Sequence, residues 1–345
     1  MNWKIVEEDV RQFAETFSLW NELRGASFMV TGATGLIGGM AVRCLKALDE
    51  RYQLGIKIVC PVRSIDKAKK IFGDIDGVEF IVHDFSLSKP LDYSGRADYI
   101  IHGASPTASA YFVSHPVETI NTQINGVTAI MEYARTYDVK GVVILSSLEV
   151  YGSNYDDKLI TEDMQGYVNP LSVRSSYNMG KRMSECLAHS YAKEYGVHVR
   201  MARLTQVCSA GIDENDNRAV AQFTKKIVNG EDIILLTQGG TSRTYCYSID
   251  AVSALLYILL RGEDGTAYNV ANSDTYISIR ELAEFLCATF GDGKSKVVVK
   301  ADDIKKHGYP PETHLRLDTS ALQSLGWKPL YDRKAMFERM IEYLK

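Results

Sequence analysis

Tyr177 and Lys181 are the two residues whose types and spacing most directly suggest chemistry. They stand four residues apart in a segment with helical spacing, so they share one face of the predicted helix. A lysine ammonium beside a phenol stabilises the phenolate, and the pattern therefore predicts a tyrosine with a lowered pKa that acts as a base near neutral pH. Tyr177 is the only one of the 20 tyrosines with a lysine four residues later.

Ser147 supplies a hydroxyl thirty residues before Tyr177. It directly follows the apolar segment Val142–Ser146, which predicts a buried strand, while Tyr177 opens the helical segment Tyr177–Tyr195. We expect the Ser147 hydroxyl to hold the same substrate oxygen on which Tyr177 acts.

The elements that must position these residues alternate along the chain. Between segments with helical spacing stand short apolar segments typical of buried strands, which are Ser27–Thr31, Ile56–Val62, Glu79–His83, Tyr99–His102, Val142–Ser146 and Val199–Leu204. This alternation predicts an α/β fold, a Rossmann-type doubly wound parallel sheet that helices cover on both faces.

The first predicted strand runs into a glycine-rich turn, Thr31–Gly38, and a helix follows. A dinucleotide pyrophosphate binds backbone N–H groups at a helix N-terminus, where side chains would obstruct it. Gly32 permits the tight turn, Gly35 the close approach and Gly38 the packing of helix on strand. We expect a nicotinamide dinucleotide here, in contact with Gly32, Thr34, Gly35, Leu36, Ile37 and Gly38.

The choice between NAD and NADP depends on the end of the second strand, where Arg63 stands and no acidic residue occurs before Asp66. An acidic residue binds the 2′-hydroxyl of the adenosine ribose, whereas an arginine pairs with a 2′-phosphate, so Arg63 favours NADP. The alternative is a solvated arginine in a basic loop. Further predicted cofactor contacts follow the third and fourth strands and are Asp84, Phe85, His102 and Ala104.

Domain boundaries follow from the order of predicted elements, because after Leu204 the regular alternation of strands and helices ends and polar loops separate shorter helices. We predict an N-terminal helical extension over residues 1–24 and a dinucleotide-binding domain over residues 25–203, to which residues 240–262 return. A smaller C-terminal substrate-binding lobe is expected over residues 204–239 and 263–345.

Composition excludes several classes of function. The 345 residues carry a net charge of −4 and a pI near 6.0, which argues against nucleic-acid binding. No apolar run reaches membrane-spanning length, and the charged start of the chain is unlike a signal peptide. The six cysteines include no Cys-x-x-Cys pair, so we expect reduced thiols in a cytoplasmic enzyme and no metal site.

Together these motifs resemble the extended short-chain dehydrogenase/reductase family, which contains the nucleotide-sugar epimerases and dehydratases. The resemblance extends from Ser27 to the segment Leu325–Pro329, which is similar to the family's C-terminal Leu-Gly-Trp-x-Pro signature. It implies substrate contacts at Ser105, Gln206, Arg218 and Arg243, with Gln206 and Arg243 at the diphosphate or the sugar. The alternative for the two arginines is a structural place at the surface.

Within this family, the strings at residues 104–106, 145–152 and 174–182 look most like those of UDP-glucuronate decarboxylases. Glu149 is informative, because dehydratases and decarboxylases carry Glu at this position and simple 4-epimerases usually a small residue. A carboxylate near C5 of a 4-ketosugar can remove the C5 proton, which the ketone acidifies. The alternative is a Glu149 that caps or pairs structurally.

Three positions depart from the decarboxylase pattern. Leu148 stands where dehydratases have Asp and decarboxylases Ser. Glu118 lies in a segment without the decarboxylases' lysines and would repel a substrate carboxylate that it faced. Arg63 is closer to the Val-Arg strand end of GDP-mannose 4,6-dehydratases, which use NADP.

The resemblance implies a nucleotide-sugar enzyme of the 4,6-dehydratase, decarboxylase or epimerase type that keeps its NAD or NADP bound. Tyr177 would take the C4 hydroxyl proton while hydride leaves C4, and Lys181 would also hold the nicotinamide ribose. Two alternatives are an NADPH-dependent reductase of an activated ketosugar or other carbonyl, and a non-catalytic dinucleotide-binding protein. By analogy with family members, the helices Val117–Tyr137 and Tyr177–Tyr195 imply a homodimer.

Overall fold

The computed structural model describes residues 1–153, 157–300 and 312–345. The strands, in chain order, are β1 Ser27–Thr31, β2 Lys57–Val62, β3 Val78–Val82, β4 Tyr99–His102, β5 Gly141–Ser147, β6 Leu159–Ile160, β7 Val199–Leu204, β8 Gln206–Cys208, β9 Ile233–Leu235, β10 Ser242–Tyr247, β11 Ala267–Val270, β12 Asn272–Ser278, β13 Val297–Val299 and β14 His314–Leu317. The helices are α1 Trp3–Thr16, α2 Leu36–Tyr52, α3 Ile65–Phe72, α4 Ser109–Ser114, α5 Pro116–Tyr137, α6 Ser175–Tyr195, α7 Ala219–Val228, α8 Ser248–Arg261, α9 Ile279–Phe290, α10 Ser320–Ser324 and α11 Arg333–Leu344. Short 3₁₀ turns cover Trp20–Leu23 and Leu148–Tyr151.

Among these residues, seven parallel strands form the main sheet, in the order β11-β7-β5-β4-β1-β2-β3. The strand order reverses between β1 and β4. In open α/β sheets, ligands bind at such a switch point, outside the carboxyl ends of the strands. The predicted α/β Rossmann-type fold is confirmed.

Alternate residues of the central strands contribute to two cores. Val143 and Leu145 of β5 join the core that α2 and α8 cover, whereas Val142 and Ile144 join the core beneath α5 and α6. All residues of β5 are buried. This double burial explains why an unbroken apolar run, rather than an alternating pattern, marks the strand in the sequence.

A second sheet has the order β12-β10-β14-β6, with β8 paired to β10. Residues 240–262, which are predicted to return to the dinucleotide-binding domain, do so in part: α8 packs on β5 and β7 of the main sheet, whereas β10 belongs to the second sheet. Instead β11, which the predicted boundary assigns to the smaller lobe, pairs with β7 in the main sheet. The cause of the error is that Tyr245, Cys246 and Tyr247 are fully buried, so β10 has the composition of a central strand.

The N-terminal extension consists of α1 and the 3₁₀ turn Trp20–Leu23. Helix α1 packs against α2, α8 and α11 and so joins helices of both parts of the chain. Asp9 of α1 is fully buried, and its carboxylate accepts hydrogen bonds from Tyr247 Oη at 2.5 Å and Arg339 Nε at 2.7 Å. In the part of the chain that the structure describes, no helix is long and apolar enough to cross a membrane.

Candidate active site

The glycine-rich turn connects β1 to α2 and leaves no room for side chains at two positions. A Cβ on Gly38 would lie 2.4 Å from the carbonyl oxygen of Gly32, and a Cβ on Gly32 would lie 2.7 Å from the backbone of Gly103. Gly32 also has a φ of +70°, which glycine adopts without strain. No side chain caps the start of α2 at Gly35, so its first N–H groups are available to a phosphate. These residues fit a dinucleotide pyrophosphate.

Thr31 joins the carboxyl ends of β1 and β4. Its Oγ1 lies 2.9 Å from His102 Nδ1 and accepts hydrogen bonds from the N–H groups of Gly103 and Ala104, both at 3.1 Å. These bonds hold the turn after β4 against the glycine-rich turn. Burial is the main cause that lowers the pKa of His102 to about 3, so its imidazole is neutral.

His102 and Phe85, predicted as cofactor contacts, are both buried beneath the strand ends with their rings in an edge contact. The cofactor contacts predicted for these two residues stay predictions. Arg63 and Asp84, by contrast, follow the paired strands β2 and β3, and Arg63 is exposed. Burial acts to raise the pKa of Asp84, but hydrogen bonds from Ser86 and the charge of Arg63 outweigh it and lower that pKa.

Tyr177, Ser147 and Lys181 meet where β5 ends and α6 begins. The Ser147 hydroxyl faces the Tyr177 phenol and acts to lower its pKa. Lys181 Nζ lies 5.7 Å from the centre of the Tyr177 ring and donates a hydrogen bond to the carbonyl oxygen of Leu145 at 2.7 Å. All three side chains are buried. The structure thus brings together the residues that the sequence pattern singles out.

The pKa of Tyr177 is raised to about 12, chiefly because the phenol is buried and then because the Glu149 carboxylate lies nearby. The Ser147 hydroxyl and the charge of Arg174 act in the opposite direction without offsetting the rise. Burial lowers the pKa of Lys181 to about 8. The predicted lowering of the Tyr177 pKa is therefore wrong for the protein alone, because burial dominates and the lysine ammonium is bonded to a main-chain carbonyl.

Glu149 stands in the 3₁₀ turn that follows β5, and Arg174 holds its carboxylate, with Nη2 2.8 Å from Oε1. Arg174 Nη1 also donates to Asn178 Oδ1 at 3.2 Å, and Asn178 Nδ2 donates to the Glu149 carbonyl at 2.9 Å. The N–H of Glu149 donates to Ser147 Oγ at 3.2 Å. Glu149 thus lies beside Ser147 and is paired with Arg174, as its structural interpretation predicts, and its role at C5 stays a prediction.

Phe112 and Arg174 belong to this site although no motif marks them as functional. The Phe112 ring stacks on the Tyr177 ring, with centroids 4.3 Å apart and an interplanar angle of 13°. The Arg174 guanidinium lies 5.1 Å from the centre of the Phe112 ring. Two signals exist for Arg174, its place in the string 174–182 that resembles the decarboxylases and its spacing of four residues from Asn178. Phe112 comes from the short α4 without any signal.

A buried ion pair beneath the site fastens α6 to the main sheet. Arg203 of β7 lies 2.7 Å from the carboxylate of Glu185 in α6, and Ser146 donates to the same carboxylate at 2.5 Å. Arg203 also donates to the Tyr151 hydroxyl at 3.0 Å. Because Glu185 follows Lys181 by one helical turn, this pair fixes the helix that carries the lysine.

The predicted diphosphate contacts lie on neighbouring strands of the second sheet. Gln206 of β8 is paired with Tyr245 of β10, the strand that also carries Arg243. The Nε of Arg243 is buried and has no hydrogen-bond partner among the described residues, a need that a substrate anion can meet. Arg218 instead binds Asp216 of its own loop, with Nη2 2.5 Å from Oδ2, which supports a structural place for it.

Three further positions shape the surroundings. Leu148 is buried in one apolar cluster with Leu315 of β14, so it forms an apolar wall between β5 and the second sheet. Ser105 follows β4 and accepts a hydrogen bond from the buried Gln123 at 3.5 Å. Glu118 is exposed in the first turn of α5.

The profile of the NAD dependent epimerase/dehydratase family matches residues 28–271, which include the glycine-rich turn and all four candidate catalytic residues. The chain belongs to this family. UDP-glucuronic acid decarboxylase 6 of Arabidopsis thaliana is 30% identical over 305 residues, which are 87% of this chain and 83% of the relative. UDP-glucuronic acid decarboxylase 1 of Xenopus tropicalis is 27% identical over 271 residues, which are 78% of this chain and 61% of the relative.

Two solved structures are similar to this epimerase/dehydratase in fold. The UDP-glucose 4-epimerase of Thermotoga maritima with UDP-glucose gives a TM-score of 0.75 at 21% identity, covering 92% of this chain and 98% of that chain. The dTDP-glucose 4,6-dehydratase of Bacillus anthracis in complex with NAD gives a TM-score of 0.72 at 18% identity, covering 92% of this chain and 96% of that chain. The predicted family and the predicted class, an NAD-dependent enzyme that modifies nucleotide sugars, are confirmed.

Proposed function

We propose that the protein oxidises C4 of a nucleotide-activated sugar to a ketone and then carries out its net reaction at C5. One observation carries this proposal. Ser147, Tyr177 and Lys181 are assembled beside Glu149 at the same edge of the sheet as the glycine-rich turn. This combination offers a base and an oxygen-binding hydroxyl next to an acid.

Each residue has a distinct task in the first step. Tyr177 accepts the proton of the C4 hydroxyl, and Ser147, whose hydroxyl faces the Tyr177 phenol, orients the same oxygen. Lys181 supplies positive charge beside them while it stays protonated, up to about pH 8. A bound oxidised nicotinamide dinucleotide supplies the hydride acceptor and a further positive charge that favours the phenolate.

At C5 we propose the loss of carbon dioxide from a hexuronate. Relatives that are 30% and 27% identical are UDP-glucuronic acid decarboxylases. A ketone at C4 makes the C5 carboxylate a β-keto acid, which loses carbon dioxide without a strong base. The electron pair of the broken bond forms an enolate that takes up a proton at C5, and the hydride then returns to C4, so the net change is the loss of carbon dioxide. Because no strong base is needed, the pairing of Glu149 with Arg174 is compatible with that chemistry. The buried side chain of Leu148 keeps water away from one side of the site.

For the cofactor we propose a slight preference for NADP. Arg63 is exposed directly after β2, where it can pair with a 2′-phosphate. The neighbouring Asp84 attracts the same guanidinium, so the preference over NAD should be small. Chromatography of the nucleotides released from the purified, denatured protein identifies the cofactor directly.

The decisive experiment incubates the purified protein with UDP-, GDP-, CDP- and dTDP-linked hexoses and hexuronates and follows the products by mass spectrometry. Loss of carbon dioxide supports the full proposal. Loss of water or an unchanged mass with a new stereoisomer supports C4 oxidation and refutes decarboxylation. Net consumption of NADPH identifies a reductase, and if no sugar nucleotide is turned over or bound, the proposal fails.

We also propose a homodimer formed through α5 and α6. These helices pack on each other within the chain and expose apolar side chains, namely Val117 and Ile120 of α5 and Met179 and Met183 of α6. Exposed apolar patches of this kind mark interaction surfaces. Light scattering should show a dimer for the wild type and a monomer for Ile120→Glu combined with Met183→Glu.

A further inference from the structure

Four side chains form a closed ring of contacts around the catalytic tyrosine. Glu149 pairs with Arg174 at 2.8 Å, the Arg174 guanidinium lies over Phe112, and Phe112 stacks on Tyr177. The Ser147 hydroxyl accepts a hydrogen bond from the N–H of Glu149 at 3.2 Å and faces the Tyr177 phenol, so it closes the ring. These residues come from separate parts of the chain and meet only in the fold. Because they are in direct contact, a replacement of one side chain affects the position of the others.

The ring places an acid beside a group that must become an anion. Like charges close together disfavour each other, so a phenolate at Tyr177 is opposed by the carboxylate of Glu149. The groups that face Tyr177 from the surrounding elements are Glu149 of the 3₁₀ turn, Ser147 of β5, Arg174 before α6, Lys181 of α6 and the uncharged ring of Phe112 from α4. Lys181 is bonded to a main-chain carbonyl, which leaves Arg174 as the cation in direct contact with Glu149.

Stability alone does not account for the Arg174–Glu149 pair. The two side chains are 37% and 31% exposed, and ion pairs at this level of exposure contribute on the order of 0–1 kcal/mol. The pair uses one carboxylate oxygen, Oε1, and the second guanidinium nitrogen is taken by Asn178 at 3.2 Å. Arg174 is therefore held firmly by the start of the catalytic helix, in a place where its charge acts on the site.

We infer that Arg174 is a positioning residue of the reaction: it holds the Glu149 carboxylate in one orientation and compensates its charge, so that Tyr177 can ionise beside it. The inference rests on the proposed function in that Tyr177 is taken as the base.

The test reads the ionisation of Tyr177 directly and needs no substrate. All tyrosines are replaced biosynthetically by 3,5-difluorotyrosine, whose lowered phenol pKa titrates while proteins stay folded, and the ¹⁹F signal of residue 177 is assigned by its loss in Tyr177→Phe. The titration is recorded for wild type, R174M, E149Q and the double variant. R174M should raise the pKa by about one unit, E149Q should lower it, and the double variant should return it near the wild-type value.

Two further variants separate charge from fold. R174K keeps the charge and should show less than half of the shift seen in R174M. R280M removes an arginine from a comparable exposed pair with Glu284 on α9 and should leave the titration unchanged. An R174M protein that titrates like wild type overturns the inference, and so does a double variant that keeps the full R174M shift.

Kinetics then distinguish this inference from the proposed function. With a sugar nucleotide that the wild type turns over, R174M should lower kcat at pH 7 at least tenfold with little change in KM, and the loss should shrink as the pH rises. If the wild type turns over no sugar nucleotide, the proposed function fails, while the ¹⁹F titration still decides the role of Arg174. Equal kcat in wild type and R174M across the pH range refutes the role in catalysis.

Discussion

Thr31 and His102 are hydrogen-bonded side chain to side chain, Oγ1 to Nδ1 at 2.9 Å, across the two strands between which the order of the main sheet reverses. Because Thr31 Oγ1 already accepts two backbone N–H groups, its own proton is directed to the imidazole. That arrangement requires a neutral His102 that accepts through Nδ1. The geometry of the cofactor turn therefore depends on the protonation state of a buried histidine.

Stability should fall in mild acid because of His102. Its pKa is about 3 in the folded protein and about 6.5 in an unfolded chain. Below pH 6.5 the unfolded chain binds a proton that the folded protein does not, so the free energy of unfolding decreases by at most about 1.4 kcal/mol per pH unit from this group. Urea unfolding between pH 7 and pH 5 measures the slope.

His102→Asn keeps a hydrogen-bonding side chain without a titration in this range, and its slope should be smaller than that of wild type. The same replacement at His189, which is exposed on α6, serves as the control and should keep the wild-type slope. Equal slopes for wild type and His102→Asn would show that His102 is not the group responsible.

Gly38→Ala should abolish dinucleotide binding while the protein still folds. The added Cβ would lie 2.4 Å from the Gly32 carbonyl oxygen, so α2 must move away from the turn and its N–H groups leave the position of the pyrophosphate. Isothermal titration with NAD and NADP should show at least about a hundredfold weaker binding, which corresponds to roughly 2.7 kcal/mol. Circular dichroism checks that the variant is folded, and wild-type affinity in a folded variant would refute a site at this turn.

The glycine-rich turn and the Tyr177–Lys181 pair are predictable because their function depends on local spacing. The partner of Glu149 is not, because Arg174 lies 25 residues away and meets it only through the placement of α6 against the end of β5. The raised pKa of Tyr177 cannot be predicted from the spacing either, because its largest cause is the burial of the phenol, which the spacing does not show. Residues 240–262 mislead for a related reason: Tyr245–Tyr247 of β10 are as buried as the central strand β5 of the main sheet, so composition alone does not assign β10 to one sheet.

Turnover should decline above about pH 8 as Lys181 loses its proton. Burial lowers the pKa of this lysine to about 8, and deprotonation with rising pH removes the positive charge that favours the Tyr177 phenolate. Lys181→Arg should be slower at its optimum but should keep its rate up to pH 10, because a guanidinium stays protonated. Lys181→Met should lose about 10²–10⁴-fold in kcat at pH 7. An alkaline decline that persists unchanged in Lys181→Arg would assign it to another group.

In the N-terminal extension, the buried Asp9 links α1 to β10 through Tyr247 and to α11 through Arg339. Asp9→Asn removes the buried carboxylate charge that Tyr247 and Arg339 both bind and leaves Arg339 with only its more exposed carboxylate partners, Glu8 and Glu342. The free energy of unfolding should therefore fall by about 1–3 kcal/mol. Urea unfolding measures the free energy of unfolding, and Glu342→Gln is the matched control. Because this partner of Arg339 is 45% exposed, its replacement should change stability by less than about 0.5 kcal/mol.

Asp9→Asn should also weaken the binding of UDP, measured by calorimetry, because Tyr247 ends the strand that carries Arg243. Equal stability of Asp9→Asn and Glu342→Gln would mean that α1 is held by its apolar contacts alone.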